Sequence, residues 1–178
     1  MSMPADFGEE LVGAYLTEVA RCDFVAYNVR PSGGGVRGLD ELDVIGLDHE
    51  RKVAYLCEVV THLHGYRFGG STSAAVERVR RKHELQKHYS RRLHGFRPRY
   101  MFWSPRVAVG PLSEGLGRIQ GLELVINEDY SQRIEELREE AGKDPRPTSN
   151  SAFRLLQILE HLREGGSFGA KGPRQIKE

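Results

Sequence analysis

Two carboxylates stand where a charge is costly. Asp43 falls within the apolar run Leu42, Val44, Ile45, and Glu58 falls between Tyr55-Leu56-Cys57 and Val59-Val60. An ionised side chain in such a strand needs a charged partner or a bound cation. The two segments, Leu39 to Leu47 and Val53 to Thr61, read as strands joined by the polar turn Asp48-His49-Glu50-Arg51-Lys52, a hairpin. A hairpin can set Asp43 beside Glu58. Two carboxylates that close repel one another, and a divalent cation relieves the repulsion. Mg²⁺ or Mn²⁺ held by one or two carboxylates keeps positions for water and for phosphate oxygens, polarises a phosphoryl group and acidifies water. The plainer alternative for either acid is a solvent-facing strand edge or an arginine partner.

A third residue is out of place in the opposite sense. Ser73 to Leu93 has helical periodicity, with Ala75, Val79, Leu85, Tyr89 and Leu93 gathered on one side. Lys82 falls at the centre of that stripe. It either snorkels to the helix edge or reaches a buried carboxylate pair or a phosphate. Arg80, Arg81, His83, Lys87 and Arg91 point elsewhere on the same helix. From Arg78 to Arg99 there are nine Lys and Arg residues against one acid, Glu84, a local charge of +8 in a chain whose net charge is +1. The remainder therefore carries −7, part of it in the acidic stretch from Glu123 to Asp144. Such asymmetry predicts a basic surface for a polyanion, with a solvated arginine-rich helix face as the alternative.

The elements that must position these residues follow from the remaining pattern. The chain has 178 residues, 39% hydrophobic and 29% charged. Its mean hydropathy is −0.50. That predicts one globular domain over residues 1–165 with a mobile tail over 166–178. No apolar run approaches the roughly 20 residues of a membrane span. No basic and apolar leader opens the sequence. Cys22 and Cys57 form neither a disulfide framework nor a CxxC zinc pair. The expectation is a reduced, cytoplasmic protein. Helices are expected over Phe7–Ala20, Ser73–Leu93, Asp129–Ala141 and Ser151–Leu162. Further strands are expected at Phe24–Val29, Arg99–Trp103 and Leu122–Ile126. The order α-β-β-β-α-β-β-α-α implies an α/β fold, a mixed sheet with helices on its faces. Trp103, Phe153, Leu155 and Leu156 either complete the core or form a homodimer surface. The glycine-rich turn Arg30 to Gly38 lacks the GK[ST] of a phosphate loop, and Gly65 to Gly70 reads as a loop at the rim of the carboxylate site.

Taken in order, Gly8-Glu9, Tyr15-Leu16, FVAYNVR from Phe24, Glu41-Leu42-Asp43-Val44-Ile45 and Cys57-Glu58-Val59-Val60-Thr61, followed by a Phe-Gly and a basic helix, resemble the PD-(D/E)xK nuclease superfamily. The pattern is most similar to the YraN-like relatives of archaeal Holliday junction resolvases and covers about residues 8 to 95. The resemblance implies a restriction-endonuclease-like fold, an α-β-β-β-α-β core over 8–105 with C-terminal helices in an extension over 106–165. It implies an Mg²⁺- or Mn²⁺-dependent enzyme that hydrolyses phosphodiester bonds in DNA. Asp43 and Glu58 would be the metal ligands and Glu9 a third acid that orients water. The family's lysine, two residues after the second acid, is Val60 here. Its charge is then supplied from elsewhere, with Lys82 the best candidate because of its inward position, as in superfamily members that carry this lysine on a neighbouring helix, or the chain is a non-catalytic module that binds nucleic acid or a protein partner. Arg78, Arg80, Arg81, Lys87 and Arg91 would meet phosphates. Thr61 matches the family's threonine, and His62 shares strand parity with Glu58 if the strand runs on. A third class, an unrelated enzyme or structural protein with incidental strand acids, stays open.

Overall fold

The computed structural model describes residues 5–30, 41–63 and 70–164. The glycine-rich turn, His64, most of the Gly65–Gly70 loop and the tail beyond residue 164 lie outside the described residues. Ten elements run in the order α1 (Phe7–Glu18), β1 (Phe24–Val29), β2 (Leu42–Asp48), β3 (Val53–Val59), α2 (Thr72–Ser90), β4 (Arg97–Ser104), α3 (Pro111–Gly117), β5 (Leu122–Ile126), α4 (Glu128–Lys143) and α5 (Ser151–Glu164). The five strands form one mixed sheet in sequence order. β1, β2 and β3 make an antiparallel meander, while β4 and β5 continue parallel to β3. This is an α/β architecture with helices on both faces, so β2 and β3 read as near-continuous buried runs rather than as alternation.

One face carries Val44, Tyr55, Cys57, Val59, Met101, Trp103 and Val125, covered by Val12, Tyr15 and Leu16 of α1, Leu137 of α4 and Phe153 of α5. The other face carries Leu56 and Phe102, beneath α2 and α3. Asp6 caps α1 through a capping box with Glu9, Ser71 caps α2, and Asn150 accepts the Phe153 N–H at the start of α5.

Three readings need correction. Trp103 and Phe153 are buried within the core, so they complete it rather than form a homodimer surface. Leu156 packs partly buried against them, and only Leu155 of the four is exposed. α3 was not expected: Pro-Leu-Ser-Glu-Gly-Leu-Gly is too short and glycine-rich to show a period, yet Leu112 and Leu116, one turn apart, bury it against α2. His83 does not point outward. It is 1% exposed, its Nδ1 is 3.2 Å from Gln86 Oε1 and its Nε2 is 3.1 Å from the Gln120 carbonyl. Gln86, equally buried, donates to the Leu56 and Met101 carbonyls and ties α2 to β3 and β4. Among the described residues, no helix is long and apolar enough to cross a membrane.

Candidate active site

The meander register brings the two acids together. Val44 pairs with Cys57, and one step further along the hairpin Asp43 comes opposite Glu58. At that step the backbone ladder gives way to a side chain: the Val59 N–H donates to Asp43 Oδ2 at 2.8 Å. Both residues are 8% exposed.

Lys82 enters from α2, which crosses the same sheet face. It is 4% exposed. Its Nζ lies 2.9 Å from Glu58 Oε2 and 3.6 Å from Asp43 Oδ1, and it donates to the Glu41 carbonyl at 3.1 Å. Arg30 in turn holds Glu41 through its carboxylate at 3.0 Å. The Lys82–Glu58 contact is a buried ion pair, and the Lys82 ammonium is the donor that faces Glu58 Oε2. Sequence spacing placed Lys82 among apolar residues. The structure explains why that is tolerated: its partners are buried with it.

The electrostatics are those of two acids sharing one lysine. Burial, and then the charge of Asp43, push the Glu58 carboxyl well above the usual carboxylate range. Burial raises Asp43 as well, against the opposing pull of Lys82 and the Val59 N–H. Burial disfavours the Lys82 ammonium, but the Glu58 and Asp43 charges outweigh it and hold its pKa above the ordinary value.

Glu9 approaches from the first turn of α1. The Asp6 N–H at 3.0 Å and Asn28 Nδ2 at 3.1 Å both donate to its Oε2. Burial is the main cause that pushes its pKa up to about 7, with the charges of Asp6 and Asp43 adding to it. The neighbouring Glu10 serves a different helix: its Oε2 accepts the Ala152 N–H at 3.1 Å and so caps α5.

The raised Glu9 pKa sets a pH dependence whose sign is definite. A carboxyl with a higher pKa folded than unfolded binds its proton more tightly when folded, so its contribution to stability is lost as pH rises. In metal-free protein the Glu9 contribution therefore falls between about 4.5 and about 7. Glu9→Gln, which keeps the acceptor oxygen, is expected to flatten the decline of the thermal midpoint across that window. An unchanged profile by calorimetry would show that Glu9 titrates normally.

The remaining candidates divide by position. Val60, where the resemblance expects a lysine, packs with Phe102 and Val79 in an apolar cluster, and its N–H bonds to the Trp103 carbonyl. Thr61 follows it, half-buried, against Gly8 of α1. His62 lies beyond the end of β3 and is exposed. Arg80, Arg81 and Arg91 are exposed on α2, with Arg78 and Lys87 half-buried. Arg80 is 3.5 Å from Glu77 and Lys87 is 2.9 Å from Glu84, surface pairs worth little. Asn28 was missed, because nothing in its sequence context marks it as a partner of Glu9.

Among the described residues, no three His, Cys, Asp or Glu side chains converge as a metal-holding group. What the site offers is a buried carboxylate pair facing a single ammonium. That donor set suits a hard divalent cation which completes its shell with water and phosphate oxygens. Comparison with known proteins returns no matching family model, no matching curated relative and no matching solved structure.

Proposed function

We propose that this chain is a divalent-metal-dependent nuclease acting on DNA, built on a restriction-endonuclease-like arrangement of the α/β sheet. The observation that carries this reading is the convergence of the buried Lys82 on the buried Glu58 and Asp43. A lysine from a neighbouring helix there supplies the charge that Val60 cannot. Asp43 and Glu58 would hold Mg²⁺ or Mn²⁺, which supplies Lewis-acid polarisation of the phosphoryl group. Glu9 accepts a proton from water or orients it. Lys82 neutralises charge that develops on the phosphoryl oxygens.

The basic surface of α2 supports DNA as the polyanion. Arg80, Arg81 and Arg91 would hold the strand by its phosphates, with Arg78 and Lys87 at the edges of that surface. The Arg81→Ala variant is expected to weaken binding to all duplex sequences alike and to reduce the slope of log affinity against log salt by about one. Fluorescence anisotropy across a salt series measures this, and an unchanged slope would place Arg81 off the DNA path.

A second reading has an observation in its favour. Lys82 already satisfies part of the negative charge of the pair, which suits a nuclease-like module that binds without cutting. Incubating the purified chain with Mn²⁺ and a panel of duplex, branched and single-stranded oligodeoxynucleotides separates the two. Cleavage that needs both metal and Asp43 supports the nuclease. Binding without cleavage that is indifferent to Asp43 and Glu58 supports the module.

A further inference from the structure

Asn28 has a φ of 51° and is the one residue of β1 in the left-handed region. Asn tolerates that conformation better than most side chains, yet within a strand it carries a cost that surrounding structure must hold in place. The twist removes Asn28 from the ladder. Tyr27 pairs with Val44 and Val29 with Leu42, and the rung between them, where Asp43 lies, is skipped. The displaced residue reaches α1 instead, where its amide donates to Glu9 Oε2 at 3.1 Å.

A second constraint acts on the same turn of α1 from the end of β3. Gly8 is buried, and a Cβ built on it would collide with the Thr61 side chain, lying 2.7 Å from Oγ1 and 2.9 Å from Cβ. The helix backbone therefore rests directly on Thr61, and only glycine permits that approach. The collision and the strained asparagine are independent observations, and they flank Glu9 from two sides.

We infer that Asn28 and Thr61 are positioning residues: Thr61 sets how closely the first turn of α1 approaches the sheet, and Asn28 fixes the direction of the Glu9 carboxylate. The expected effect on cleavage rests on the nuclease reading. The structural content does not.

The test uses the full chain with ¹³C-carboxyl-labelled glutamate and, in parallel, Mn²⁺-dependent cleavage of the oligodeoxynucleotide panel. Asn28→Ala is expected to move the Glu9 carboxyl resonance and to lower kcat about tenfold, the worth of one hydrogen bond to a charged group. KM and Mn²⁺ affinity stay unchanged, because the phosphate contacts and the acid pair are untouched. In a Glu9→Gln background the same substitution adds no further loss. Asn28→Gly accommodates the backbone conformation and loses only the amide, so it reproduces the shift if Asn28→Ala fails to fold. Gly8→Ala moves the same resonance and lowers kcat. Adding Thr61→Gly reopens the space and restores both, a rescue that a general loss of stability does not give. A Glu9 resonance that stays in place in Asn28→Gly overturns the role of Asn28, and a double variant no better than Gly8→Ala overturns that of Thr61. A wild-type chain that cuts none of the panel defeats the nuclease reading, and the resonance measurements then decide the positioning roles alone.

Discussion

If the nuclease proposal holds, Asp43→Asn is expected to abolish Mn²⁺ binding and to reduce metal-dependent cleavage by about three orders of magnitude or more, the several kcal/mol that a Lewis acid contributes at a phosphoryl group. The substitution is chosen to remove charge and little else. The Val59 N–H now donates to Asp43 Oδ2, and the asparagine carbonyl accepts the same bond. Glu58 then faces Lys82 alone, and the pair sums to zero, so no net negative charge is left to attract a divalent ion. Titration calorimetry with Mn²⁺ and the cleavage assay read the two effects separately. Wild-type cleavage by Asp43→Asn sinks the nuclease proposal outright. Glu58→Gln is expected to behave in the same way, since it removes the other negative charge facing Lys82.

Lys82→Met separates chemistry from metal capture. Cleavage is expected to fall by about 10²- to 10³-fold, the usual cost of removing a group that stabilises charge in a phosphoryl or acyl transition state. Mn²⁺ affinity is expected to rise, because an ammonium 2.9 Å from Glu58 and 3.6 Å from Asp43 competes with any cation for the same oxygens. Without metal the variant is expected to lose about 3–5 kcal/mol of stability at neutral pH, since one partner of a buried ion cluster is gone. Added Mn²⁺ should restore much of that loss, as any ligand that binds only the folded state does. Denaturant melts with and without Mn²⁺ make the comparison. Equal Mn²⁺ affinity in both proteins would place Lys82 outside the cation's reach, as a purely structural partner of the acids.

The residues that were legible in the sequence share one property: each violated its surroundings. Asp43 and Glu58 are charges within apolar strands, and Lys82 is a charge within an apolar helix stripe. Burial of charge is costly enough that such violations mark a cluster even before the chain is folded. The meander, the crossover helix and the parallel strands after it were legible for a related reason, since hydrophobic period and turn chemistry agree there. What was not legible involves groups that violate nothing locally. His83 and Gln86 sit among arginines and look solvated, yet they are buried because their hydrogen bonds are completed by main-chain carbonyls of distant elements. Asn28 looks like an ordinary polar residue near a strand end, and only its backbone angle and its bond to Glu9 reveal its place. Trp103 and Phe153 could equally have faced a partner. Their burial depends on α4 and α5 folding back over α1, which no local pattern announces.

That return has a consequence for the order in which the molecule is made. Glu9 and Glu10 are adjacent on α1, but Glu10 finds its partners at Asn150 and Ala152, up to 142 residues later in the chain. Val12 and Leu16 of the same helix share a core with Leu137 and Phe153. A ribosome that has released everything up to β5 has already supplied Asp43, Glu58 and Lys82, yet the helix bearing Glu9 still lacks the cover that seats it. Contacts so distant in sequence form late. The nascent chain therefore carries its acids and its lysine for several seconds of synthesis before the helix bearing Glu9 can lock down.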